Sequence, residues 1–110
     1  MTKSDLYIHG SRQQLEAIKK TIATIALHTG CDTGYESCMN IPLSLIMQML
    51  VGDASHTGLL VGINTEDPQC VVLRFECNNI VDLYEALQQC FDGTEIELDE
   101  DVEDVPWPFE

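Results

Sequence analysis

Two stretches decide the fold: Gly58–Asn64 (GLLVGIN) and Cys70–Cys77 (CVVLRFEC), separated by residues 65–69 (TEDPQ). In the second, Val71, Leu73, Phe75 and Cys77 alternate with Val72, Arg74 and Glu76, the two-residue period of a strand with one covered face. In the first, Leu59, Val61 and Ile63 are expected on one face and Gly58, Leu60 and Gly62 on the other. Pro68 and its polar neighbours supply a turn, so the pair reads as an antiparallel hairpin with a longer loop than the tightest turns need.

Downstream, Asn79 is a suitable helix cap, with Asp82 at the third position after it. Ile80, Leu83, Tyr84, Leu87, Cys90 and Phe91 recur at helical spacing, and Gly93 is expected to stop the helix. Thr94, Ile96 and Leu98 then alternate with Glu95, Glu97 and Asp99 as a short last strand. Upstream, residues 40–51 hold an apolar segment (Leu43, Leu45, Ile46, Met49, Leu50, Val51) that reads as a short helix capped by Asn40, with Pro42 in its first turn. Residues 31–39 read as a loop. Before them, Leu15, Ile18, Ile22, Ile25 and Ala26 make one face of a helix over 12–28, opened by a Ser11–Gln14 capping box and stopped by Gly30. Leu6, Tyr7 and Ile8 form a first strand.

The order is strand, helix, short helix, strand, strand, helix, strand. With the short helix taken as an insertion, this is the split βαβ pattern of a ferredoxin-like α+β sandwich with an antiparallel sheet; a close α+β variant is the alternative. Residues 1–99 are expected to form one domain and residues 100–110 an acidic tail. A chain of 110 residues is too short for two ordinary domains.

Five basic residues stand against 19 acidic ones, for a net charge of -14. The asymmetry is sharper than the total. All five bases (Lys3, Arg12, Lys19, Lys20, Arg74) precede residue 75, and twelve of the acids follow it. Direct binding to a phosphate backbone is disfavoured, because it needs Lys and Arg to displace counterions. Anionic membrane surfaces are disfavoured for the same reason. No run approaches the roughly 18–20 apolar residues that span a bilayer, and Met1–Asp5 carries no secretory pattern. A cytoplasmic setting with reduced thiols is the expectation.

The cysteines do not read as a metal site. Cys31 and Cys38 are seven apart, as are Cys70 and Cys77, whereas paired zinc ligands usually lie two to four residues apart. Cys77 and Cys90 lie on apolar stripes and read as small hydrophobes. Cys70 and Cys77 point to opposite faces of one strand. A Cys31–Cys38 disulfide is left open. His9, His28 and His56 lie at element ends without a nucleophile at a fixed local spacing, so no catalysis, metal or cofactor is expected. The turn at His9–Arg12 joins a strand to a helix N-terminus, where Ser11 and Arg12 would contact an anion. A turn plus capping box is the plainer account.

The acids of the C-terminal third are the strongest functional signal. Asp82, Glu85, Asp92, Glu95, Glu97, Asp99, Glu100, Asp101, Glu103 and Asp104 are expected to form a negative field that attracts a basic protein surface. Trp107 and Phe109, set between prolines, would anchor that contact, or dock on their own domain or on a second copy. Leu43, Leu45, Ile46, Met49 and Leu50 are candidates for a homodimer seam. The expected function is a small acidic protein-binding module that inhibits or regulates a partner, with a groove that normally holds nucleic acid as one target. The alternatives are a dimeric ferredoxin-like small-ligand or regulatory module, and a structural or accessory protein.

Overall fold

The computed structural model describes residues 2–29, 40–100 and 102. The elements run β1 (Thr2–His9), α1 (Arg12–Thr29), β2 (Ile41–Pro42), α2 (Leu43–Val51), β3 (Gly58–Asn64), β4 (Cys70–Cys77), α3 (Ile80–Cys90) and β5 (Glu95–Asp99). The expected loop over 31–39, the stop at Gly30, the Cys31–Cys38 pairing and the Trp107–Phe109 anchor lie outside the described residues.

The strands form one five-stranded antiparallel sheet in the order β2-β3-β4-β1-β5. The domain is therefore α+β, with three helices among the described residues. Its strand order is not that of a four-stranded ferredoxin-like sheet, because β2 adds a strand beside β3. That strand replaces the first turn expected for the short helix. Ile41 and Pro42 pair with Leu60 and Leu59, and α2 opens at Pro42 without a side-chain cap. Asn40 therefore lies before the strand instead of capping the helix. Proline fits here because an edge strand leaves one row of N–H positions unpaired.

The other local signals behave as their chemistry requires. The Ser11 N–H donates to Gln14 Oε1 at 2.8 Å and the Gln14 N–H to Ser11 Oγ at 3.2 Å, which closes the capping box. Asn79 Oδ1 accepts from the Asp82 N–H at 3.4 Å, and its Nδ2 donates to the Asp82 carboxylate at 2.7 Å. Gly52 ends α2 in the left-handed region at φ 75°.

All three helices lie on one face of the sheet. Leu15, Ile18, Ile22 and Ile25 of α1, Leu43, Ile46 and Met47 of α2, and Leu83 and Leu87 of α3 share a core with Leu6, Ile8, Leu60, Ile63, Leu73, Phe75 and Ile96. The face assignment within β3 differs from simple alternation. Leu60 pairs with Phe75 and Gly62 with Arg74, so Val61 is an extra residue, a β-bulge. Past the bulge the faces switch, and Leu60 joins Ile63 in the core while Leu59 and Gly62 turn away.

The face opposite the helices is also not simply wet. Cys70, Val72, Asp5, Arg74 and Asn64 are buried there. The expectation of one covered face is corrected accordingly: Cys70 and Val72 pack with Tyr7 as a second, small cluster. Pairing also continues past residue 99. The Val102 N–H donates to the Lys3 carbonyl at 2.8 Å and Val102 is buried.

Candidate functional site

The sheet face away from the helices is the most distinctive surface. Its residues follow from register. Lys3, Asp5, Tyr7 and His9 of β1 stand beside Glu76, Arg74, Val72 and Cys70 of β4 on one side. On the other side, Asp99, Glu97 and Glu95 of β5 stand beside Asp5, Tyr7 and His9. The centre is neutralised internally. Arg74 Nε donates to Asp5 Oδ1 at 2.7 Å and Nη2 to Oδ2 at 3.0 Å, with both side chains almost fully enclosed. Gly62, opposite Arg74 on β3, has no side chain to compete for that space.

The β5 side is a row of carboxylates. Glu95, Glu97 and Asp99 are exposed and alternate along the strand, so all three leave the same face. Alternate residues of an antiparallel strand are about 7 Å apart. His9 Nε2 lies 3.4 Å from Glu97 Oε1 and offsets part of the charge only when protonated. Tyr7, across from Glu97, keeps its phenolic proton to a higher pH than usual, first because burial disfavours the phenolate and then because Asp5 and Asp99 repel it.

Beside the row lies a cavity of about 490 Å³, lined by Tyr7, His9, Asn64, Glu66, Asp67, Cys70 and Val72. Asn64 is 2% exposed. Its Oδ1 accepts the Glu66 N–H at 3.2 Å, while its buried Nδ2 has no partner among the described residues. Burial holds the Cys70 thiol above its ordinary pKa, with Asp67 and Glu97 adding to the effect, so it is a protonated wall residue.

The remaining sequence candidates separate in space. Asp82 and Glu85 of α3 line a different cavity, about 430 Å³, with Asp53, His56 and Asn79. Asp82 is partly committed to the Asn79 cap there. Asp53 is held below its usual pKa, mainly by the Ser55 N–H and hydroxyl. Asp92 is exposed beyond the end of α3, and Glu100 follows β5. The acids of α3 and those of β5 are thus carried on elements that face opposite sides of the sheet. Asp101, Glu103, Asp104, Trp107 and Phe109 lie outside the described residues.

Of the candidate dimer helix, Leu43 and Ile46 are core residues, Leu45 and Leu50 are partly covered by the core, and Met49 is exposed. Ser11 and Arg12 line a cavity of about 370 Å³ with His9, Gly10, Pro68 and Gln69. Their helix end is already occupied by the Gln14 side chain, which takes up the Ser11 N–H. Among the described residues, no group of three His, Cys, Asp or Glu side chains is placed to hold a metal ion. No described helix is long and apolar enough to cross a membrane.

Sequence reasoning missed the Asn64 cavity. Tyr7 and Val72 meet only through the β1–β4 register, which no local pattern encodes. No protein-family profile, curated protein or solved structure matches the chain.

Proposed function

We propose that the protein is a small acidic binding module that engages a basic protein surface through the sheet face away from its helices. The observation that carries the reading is the row Glu95, Glu97 and Asp99 on one face of one strand. The strand fixes the spacing of the three backbone positions, so a partner's Lys and Arg residues meet the carboxylates as a row. Their common field also raises the encounter rate with a basic surface. Glu76 on the same face, and Glu66 and Asp67 at the β3–β4 turn, extend the field, against Lys3 on the face and Lys19 at the turn, whose Nζ donates to the Thr65 carbonyl at 3.4 Å.

A partner that normally holds nucleic acid fits the same chemistry. The module would then inhibit by occupying the basic groove. Nothing in the reading requires catalysis. With β2 set aside, the order β3-β4-β1-β5 supports a ferredoxin-like sandwich with an added edge strand as the fold behind this surface.

The test is titration with a short arginine-rich peptide at low and moderate salt. The variant Glu95→Gln, Glu97→Gln, Asp99→Asn is compared with one losing equal charge elsewhere, Glu16→Gln, Glu85→Gln, Asp92→Asn. The strand variant is expected to weaken binding by about tenfold or more and to flatten its salt dependence. Equal losses in the two variants would overturn the reading, because net charge alone would then account for the binding.

A further inference from the structure

We propose that the cavity walled by Tyr7, Asn64, Glu66, Asp67 and Val72 receives one arginine residue of an extended basic segment on the partner. The proposal rests on the acidic-module reading and names the part of the partner that the sheet face selects.

Three features of the cavity converge on that residue. The first is a buried donor without an acceptor. Asn64 is enclosed, its Oδ1 is held by the Glu66 N–H, and Nδ2 has no partner among the described residues. Buried amide groups are almost always hydrogen-bonded, so Nδ2 calls for a carbonyl oxygen. A peptide main chain supplies one. The second is charge. Glu66 and Asp67 are exposed carboxylates at the mouth, and among the described residues no lysine or arginine lines the cavity; His9, which also lines it, lies 3.4 Å from Glu97. The third is the apolar wall. Val72, Cys70 and the Tyr7 ring form a small cluster of their own. An arginine residue has the matching sequence of parts: a main-chain carbonyl, an aliphatic stem that packs on apolar surface, and a planar cation that pairs with carboxylates and aromatic faces. A cavity of about 490 Å³ is within the usual range for a site of this size.

The geometry also separates this contact from the β5 row. The row draws any cation, whereas the cavity combines a donor, a wall and two carboxylates at the β3–β4 turn. Arginine would dock there while neighbouring bases meet Glu95, Glu97 and Asp99. Sequence preference would then arise at one position of the partner.

The experiment is a ¹H–¹⁵N spectral titration of the full chain with N-acetyl-arginine methylamide, using the neutral citrulline analogue as control. Saturable shifts are expected at the Asn64 side-chain carboxamide and at the Tyr7 and Val72 amides. The exposed-site variant Glu66→Gln, Asp67→Asn should weaken binding by about tenfold. The β5 triple variant should weaken it less than the Glu66→Gln, Asp67→Asn variant does, because Glu97 reaches the cavity only through its edge, at His9 and Cys70. Asn64→Ala should remove the remaining affinity, and the exposed-site variant keeps the proposal falsifiable if that protein does not fold. Shifts confined to β5 amides, with Asn64 unmoved, would overturn the cavity proposal and leave the acidic row standing. Equal binding of citrulline would overturn it as well, because the cation would not be recognised. No perturbation anywhere would overturn the cavity and count against the row.

Discussion

Replacing Asp5 with Asn removes the negative half of an enclosed, two-pronged ion pair. The two hydrogen bonds from Arg74 are 2.7 and 3.0 Å long, and the two side chains are 5% and 4% exposed. An exposed pair of the same type is worth about 0–1 kcal/mol, because water screens it. This pair is not exposed. Removing one partner of a buried pair costs about 3–5 kcal/mol, mostly from the charge left behind. A domain of this size has a total stability of about 5–15 kcal/mol, so the substitution should remove a substantial part of it. The melting temperature should fall by roughly 12–20 °C, taking about 4 °C per kcal/mol. The assay is urea unfolding followed by circular dichroism, with the slope compared to the parent to exclude a change of mechanism. The double variant Asp5→Leu, Arg74→Met removes both charges and should be much less destabilised than Asp5→Asn. A loss below about 1 kcal/mol in Asp5→Asn would refute the reasoning, as would strict additivity of Asp5→Leu and Arg74→Met in the double variant.

Two further outcomes follow from local geometry. Gly58 has φ 138°, and a Cβ there would collide with the Glu76 carbonyl oxygen and lie 2.7 Å from Cys77 Cβ; Gly58→Ala should therefore destabilise by more than about 1 kcal/mol in thermal unfolding. Burial is the main reason that the Cys70, Cys77 and Cys90 thiols lie above their ordinary pKa, and Cys77 is almost fully enclosed, so alkylation of Cys77 near pH 8 should wait on unfolding, as read by mass spectrometry. For these thiols and for Tyr7, the raised folded value means that the folded chain holds the proton more tightly. Their contribution to stability is complete below the ordinary thiol and phenol ranges and declines as pH rises through them, which urea unfolding at successive alkaline pH values would record.

Elements carried by a local period could be read from the chain. The stripe Leu15 to Ala26, the alternation in β4 and the Asn79 cap are each complete within a few residues, and each forms as its spacing requires. What depends on register could not be read. Asp5 and Arg74 are 69 residues apart and meet only because β1 pairs with β4 in one alignment. The bulge at Val61 was hidden because Leu59, Val61 and Ile63 keep perfect alternation with either face inward. Strand β2 has two residues, too few for any period to show. The acids of the C-terminal third were visible as charge, but their division between α3 and β5 follows from the three-dimensional arrangement. The Asn64 cavity combines both difficulties, since its walls come from three strands and a turn.

Strand β5 ends the sheet, and among the described residues nothing pairs with its outer edge. The Tyr84 hydroxyl donates to the Ile96 carbonyl at 3.0 Å, which takes one acceptor of that strand out of use. If two molecules joined their sheets along this edge, both carboxylate rows would be forced into one crowded layer. The row proposed to meet a basic partner is thus also a guard against end-to-end growth of the sheet. Charge-neutralised variants, or the native chain in acid, lose that guard, and their first symptom should be fibrous aggregation with the domain still folded.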